Sequence, residues 1–197
     1  MLRKTQKTAR KRSGDPARPN IQPVVTERPG SWHLARTETE RLLSDFEFRL
    51  ERLAQAYYRW KAACLAAVCD VPLTGDDVAV LNVVRMGDEP KRLSEVGQLL
   101  NRVDVPNLQY AARKLVRAGL IETEGGSSRK ETRYRATATG RSVTEAYAAL
   151  RAATLPPMLD ALDGWAAKSE TAGNHLDLIS SLYAQAAQAA ITRRHQP

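Results

Sequence analysis

Between Ser94 and Ala136 the apolar period of the chain changes from helical to alternating, and few folds admit that order. The stretch "SEVGQLLNRV" places Val96, Leu99, Leu100 and Val103 on one side of a helix that Ser94 caps. Asp104 then caps a second short helix with Pro106 in its first turn, where a missing N–H costs nothing. Leu108, Ala111, Ala112, Leu115 and Val116 form its buried side, and Gly119 supplies the left-handed residue that stops it. "LIETE" and "ETRYRAT" follow as strands around the turn "GGSSRK", with Thr132, Tyr134 and Ala136 alternating against Glu131, Arg133 and Arg135. A two-stranded hairpin is marginal alone and must lean on the preceding helices.

Upstream, "LTGDDVAVLNVVRMGDEP" reads as a further helix. Thr74 caps it, Asp76 and Asp77 favour its positive end, and Val78, Val80, Leu81 and Val84 are its inner side. Gly87 and Pro90 end it, and residues 91–93 form a brief extended piece. Three helices and a hairpin in this order make a winged helix-turn-helix over residues 73–138.

Helical patterns flank that unit on both sides. Thr37 to Glu40 is a capping box, and Leu43, Phe46, Leu50, Leu53, Tyr57, Trp60, Cys64 and Ala67 follow at steps of three and four. They predict one helix of more than 30 residues ending near Asp70, too long for the body to cover, so its stripe is expected to pack on a second chain. After the wing, a helix from Thr139 carries Val143, Tyr147, Leu150 and Arg151 to an expected break at Pro156 and Pro157. A piece from Met158 to Trp165 follows, and a last helix repeats Leu176, Ile179, Tyr183, Ala186 and Ala190. The expected class is mainly α with a small β-hairpin: a winged helix-turn-helix domain with long N- and C-terminal dimerisation helices over residues 32–72 and 139–192. Leu43, Phe46, Leu50, Leu53, Leu176, Ile179 and Tyr183 are the expected dimerisation residues.

Charge is unevenly spread along the 197 residues: 30 Lys and Arg against 22 Asp and Glu give +8, of which residues 1–31 carry +6. That segment contains Pro16, Pro19, Pro23 and Pro29 and no helical or strand period, and is expected to be a disordered basic arm; residues 193–197 are a short tail. A basic arm on a nearly neutral body fits a polyanionic partner, or simply a solubilising terminus. No stretch approaches the roughly 18 apolar residues of a membrane span, and the arm lacks the apolar segment of a secretory signal, so a cytoplasmic protein is expected. Cys64 and Cys69 are five apart on a predicted helix, about 140° apart around the axis, and read as buried thiols. His33, His175 and His195 match no zinc spacing, and neither a metal nor a cofactor is expected. The sequence contains no nucleophile elbow, phosphate loop, dinucleotide fingerprint or zincin motif, so an enzyme is not expected.

Taken over residues 37–192, the order of parts resembles the MarR family of bacterial transcriptional regulators. The local match is "LSEVGQLLNRVDVPNLQYAARKLVRAGLIETE", similar to the family's helix, turn, recognition helix, Gly-Leu and wing strand. "ATATG" resembles the Leu-Thr-x-x-Gly that opens the family's fifth helix. The family's wing usually carries Asp-x-Arg where Ser127-Ser128-Arg129 stands here, Pro106 is unusual in the recognition helix, and the basic arm lies outside the resemblance. The resemblance implies a homodimer that binds double-stranded DNA, with a small phenolic or amphipathic effector between the dimer helices and the DNA-binding unit. Tyr57, Trp60, Tyr147 and Trp165 are candidates to line such a pocket, although rings at helical spacing equally serve a core.

The outward face of the second short helix presents Pro106, Asn107, Gln109, Tyr110 and Arg113, flanked by Lys114 and Arg117. Asn and Gln can pair with adenine N6 and N7, and Arg with guanine O6 and N7, so these types suit a major groove. Arg129, Lys130 and Arg133 of the wing would meet the minor groove or phosphates, and Ser94 at a helix start could hold a phosphate. The competing reading is a winged-helix protein-interaction module without DNA binding, since Glu122, Glu124 and Glu131 near the wing repel phosphates.

Overall fold

The computed structural model describes residues 33–125 and 131–194. The expected basic arm, Arg129 and Lys130 therefore lie outside the described residues. Two compact units are present, one spanning Thr26–Pro156 and the other including Pro157–Pro197.

In the first unit, α1 (Glu38–Ala66) starts at the expected capping box. The Thr37 hydroxyl accepts from the Glu40 N–H at 3.2 Å, and the Glu40 carboxylate accepts from the Thr37 N–H at 2.8 Å. The helix has 29 residues and stops four residues short of Asp70. A tight bond from the Val68 N–H to the Leu65 carbonyl closes its last turn, and the chain then runs to Pro72 and turns Leu73 into the core. The first residue of α2 (Gly75–Arg85) lies directly on α1: a Cβ at Gly75 would sit 2.7 Å from the Tyr58 carbonyl oxygen. Beside this crossing Lys61 is only 4% exposed, its ammonium 4.4 Å from the Tyr57 ring centre and 3.9 Å from that of Tyr58. Burial pushes the Lys61 ammonium pKa down, with Asp76 opposing.

Helix α2 is the centre of the core. Its Val78, Val80, Leu81 and Val84 are fully covered, and it packs on α1, on α3 (Leu93–Leu99), on α4 (Val105–Arg117) and on the sheet. Leu65, Val96, Leu108, Leu115, Leu120 and Ile121 complete that core. Truncating such a leucine to alanine typically costs about 2–5 kcal/mol.

Two of the residues expected inside on α3 are outside, because the helix is shorter than its apolar pattern suggests. It begins at Leu93 with Arg92 as its cap residue, so Ser94 lies in the first turn rather than at the cap. It ends with the Arg102 N–H bonded to the Gly97 carbonyl and the Asn101 N–H to Gln98, Asn101 being left-handed at φ 51°. That reversal takes Val103 out of helical phase, leaving it 95% exposed; Leu99, the last residue of α3, is 55% exposed. At the end of α4 the same closure recurs: the Leu120 N–H bonds Leu115, the Gly119 N–H bonds Val116, and Gly119 has φ 68°. Val116, expected inside, is partly exposed at the rim.

The sheet has three strands where a hairpin was expected, since the extended piece before α3 joins it. Strand β1 (Lys91–Arg92) pairs antiparallel with β3 (Arg133–Ala136), which pairs antiparallel with β2 (Ile121–Glu124), in the order β1-β3-β2. Ile121 faces Ala136 and Lys91 faces Tyr134. Helix α5 (Ala138–Asp160) follows at once, with the Thr137 hydroxyl accepting from the Gly140 N–H at 2.9 Å and donating to the Gly119 carbonyl at 2.6 Å. A Cβ on Gly140 would fall 1.9 Å from the Leu120 carbonyl oxygen, so "ATATG" is a seam that ties α5 to β2.

The expected break at Pro156 and Pro157 does not occur, and α5 runs through both to Asp160. A proline pair removes two ladder bonds but its φ is already helical, which permits the helix to continue at a local cost. In the second unit, Gly164 at φ 68° precedes α6 (Trp165–Arg194), a 30-residue helix that starts ten residues ahead of the apolar repeat opening at His175. None of its described residues is buried, and Leu176, Leu178, Leu182, Tyr183 and Ile191 are exposed. No helix among the described residues is long and apolar enough to cross a membrane.

Candidate nucleic-acid interface

Helix α4 buries Leu108, Ala111, Ala112 and Leu115, and so turns the opposite side outward. Pro106, Asn107, Tyr110, Arg113 and Arg117 are exposed there, Tyr110 by 60%, and Gln109 is half-buried at the edge. Arg113 and Arg117 have no hydrogen-bond or ion-pair partner among the described residues. No carboxylate lies on the helix itself, from Val105 to Leu120.

Lys114 does not join that face as expected. Its ammonium donates to the Asp77 carboxylate at 2.8 Å, and the same carboxylate accepts the Thr74 N–H at 2.8 Å and the Thr74 hydroxyl at 2.9 Å. Asp77 is buried, so Lys114 neutralises an interior charge and clamps α4 to the start of α2. Arg133 is also engaged within the chain, donating to the Pro90 carbonyl at 3.0 Å and lying 3.9 Å from Glu95, while its side chain remains 41% exposed. It braces the start of α3 against the sheet. Ser94 is exposed on α3, at the mouth of a groove of about 810 Å³ formed with Gln98, Val103, Gln109 and Tyr134.

Periodicity did not find a second cluster, at the start of α4. The Arg102 guanidinium grips Asp104 with both arms, Nε to Oδ1 at 2.9 Å and Nη2 to Oδ2 at 2.6 Å, and reaches Asp76 at 3.3 Å. Asp104 is the cap residue of α4, yet its carboxylate makes no capping bond to the helix backbone. It bonds Arg102 instead, and the guanidinium holds its carboxyl well below the usual carboxylate range. On the wing, Arg135 pairs with Glu122 at 2.8 Å and Glu124 at 3.6 Å, which offsets the charge of both acids.

Away from this face, α1, α2 and α5 enclose an open cleft of about 490 Å³. Three of the four expected aromatics are in its wall: Tyr57 and Trp60, their rings stacked 6.3 Å apart, and Tyr147, whose hydroxyl pKa is pushed up by burial. Arg85, Arg151 and Asn82 supply polar groups, and the buried Arg85 Nε has no hydrogen-bond partner among the described residues. Trp165 opens α6 in the other unit. Cys64 and Cys69 are free thiols, and burial pushes the Cys64 thiol pKa up, away from the reactive thiolate.

Three core helices, a second and third joined by a tight turn, and a β-wing define a winged helix-turn-helix. Residues 73–140 match the family profile of the winged helix DNA-binding domain. Among solved structures, AbfR of Staphylococcus epidermidis superposes with a TM-score of 0.60 at 16% identity, over 76% of this chain and 98% of that one. Sco5413, a MarR family transcriptional regulator from Streptomyces coelicolor, gives 0.54 at 21% identity, over 73% and 94%. The transcriptional regulator MOSR of Mycobacterium tuberculosis, in complex with DNA, gives 0.53 at 18% identity, over 73% and 96%. These likenesses bear out the MarR-like fold. No curated protein matches the sequence.

Proposed function

We propose that the protein is a homodimeric, sequence-specific regulator of transcription that binds double-stranded DNA in the bacterial cytoplasm. Helix α4 enters the major groove, and the wing, with Arg129 and Lys130, lies at the minor groove or backbone. The observation that carries this reading is the face of α4, where two arginines without a partner among the described residues stand beside Asn107, Gln109 and Tyr110 with no acid on the helix. AbfR and MOSR, which share the fold, have been solved bound to DNA. Residues 1–31 act as a phosphate-seeking arm, residues 32–72 and 139–192 hold the dimer together, and residues 73–138 read the site. The aromatic cleft beside Arg85 and Arg151 suits a small amphipathic effector.

Mapping of bound DNA across the genome tests the function and yields the operator. On that operator, Arg113→Ala is expected to cost about 1–3 kcal/mol and to relax preference at one or two base positions. Arg129→Ala is expected to weaken binding evenly across sequences, because a wing contact chiefly fixes register. Titration of both variants against the operator and a half-scrambled duplex separates the outcomes. A folded Arg113→Ala protein with wild-type selectivity would move the reading to a protein-interaction module, which the exposed Val103 and Val105 favour.

Deleting residues 1–31 removes a net +6. Affinity for every duplex is then expected to fall and the dependence of log K on log salt to become shallower, with base preference kept. A salt titration showing an unchanged slope would leave the arm as a solubilising tail.

A further inference from the structure

The turn into α4 exposes apolar side chains where a surface segment ordinarily carries polar ones. Val103 is 95% exposed and Val105 is 52% exposed, and Pro106 beside them is exposed as well. The two valines are held in a fixed relation. The Val105 N–H bonds the Val103 carbonyl at 3.0 Å across Asp104, whose φ of −82° and ψ of 68° are those of an inverse γ-turn. Asp104 is gripped in turn by both arms of Arg102 at 2.9 and 2.6 Å, and Arg102, its side chain only 18% exposed, reaches Asp76 of α2 at 3.3 Å. Branching at Cβ leaves a valine little freedom about χ1. Val103 and Val105 thus form a stiff apolar clip, and both open onto the groove that Gln98 and Gln109 also line.

We propose that this clip reads thymine by packing against its C5 methyl group in the major groove, which makes Val103 and Val105 specificity-determining residues. The inference rests on the DNA-binding reading of α4. A recognition helix brings its N-terminal residues to the base edges, and the clip stands at that end, one turn ahead of Gln109. A valine side chain neither donates nor accepts a hydrogen bond, so the one group of the major-groove edges that suits it is the thymine methyl. Cytosine and the purines have no such group. Exposed valines would also suit a protein partner. Here the same helix carries Arg113 and Arg117 without a partner among the described residues and no acid from Val105 to Leu120, a charge pattern complementary to nucleic acid. Because the turn is braced before binding, little ordering cost offsets the contact.

The test is replacement of thymine by deoxyuridine, which removes the methyl group and keeps every hydrogen-bonding group. The full-length protein first selects its site from a random duplex library, and each thymine of that site is then replaced in turn. At one or two positions in each half-site affinity is expected to fall about fourfold, the worth of one buried methyl group, and at the other thymines to hold. Val103→Ala and Val105→Ala trim exposed side chains and are expected to leave the fold intact, which thermal melting checks. In the variant whose valine makes the contact, the thymine duplex binds more weakly and the deoxyuridine penalty at that position disappears, so the two changes are not additive. A selected site without thymine, tolerance of deoxyuridine throughout the site, or a penalty undiminished in the double alanine variant overturns the clip while leaving DNA binding intact. A wild-type protein that enriches no sequence overturns the clip and the DNA-binding reading together.

Discussion

Replacing Leu50 and Ile179 together with aspartate is expected to yield monomers, or insoluble protein, and to lower operator affinity by about two to four orders of magnitude. The first effect follows from placing charges in apolar surface that a partner is expected to cover. Leu50 lies in the α1 stripe whose Leu43, Leu53 and Tyr57 are exposed in the single chain, and Ile179 lies in α6, none of whose described residues is buried. A helix of that length is not maintained in water by propensity alone, and its apolar side needs a covering surface. The second effect follows from multivalency, because two linked recognition helices raise avidity by roughly 10²–10⁴ over one. Light scattering and duplex titration read the two effects separately. A wild-type protein that scatters as a monomer at micromolar concentration would remove the basis for both.

Gly140→Ala is expected to destabilise the folded chain by about 3 kcal/mol or more, as overpacking against backbone does. The new methyl group would lie 1.9 Å from the Leu120 carbonyl oxygen, and that oxygen is held by the Thr137 N–H at 3.1 Å and by the Thr137 hydroxyl at 3.3 Å. Neither side of the seam can retreat without breaking a bond. For a chain of this size the melting temperature should drop by roughly 10 °C. Gly173→Ala is the contrast: a Cβ there meets nothing within 4 Å, and in a helix the change is expected to be neutral or stabilising by about 0.5–1 kcal/mol. Thermal melts of both variants decide the matter, and equal melting of Gly140→Ala and wild type would show that the seam has slack.

The parts of the fold that were legible in the sequence are those fixed by neighbours along the chain. Thr37 with Glu40, Thr74 with Asp77, and Gly119 with its left-handed backbone each act within four residues, and each stands where expected. The buried side of α2 and most of that of α4 were legible for the same reason, since a helical period is local. Val103 was misread because Asn101, an ordinary residue in sequence, adopts the left-handed conformation and stops α3 early. The partners of Lys114 and Arg133 were not legible because Asp77 and the Pro90 carbonyl are 37 and 43 residues away. The Arg102–Asp104 pair crosses a turn at a spacing of two, which the helical period read through this stretch does not signal.

If α4 reads DNA as proposed, its closure by Asp104 and Gly119 bounds how long a word one chain would read. Thirteen residues make a rod about 20 Å long, which at about 3.4 Å per base pair runs alongside no more than roughly six. A six-letter word recurs by chance about once in 4,000 base pairs, far too often among the 10⁶–10⁹ competing sites of a genome. Two copies reading together extend the word to about twelve letters, with a chance recurrence near once in 10⁷. Uniqueness of address is therefore out of reach for a single chain, however good its contacts.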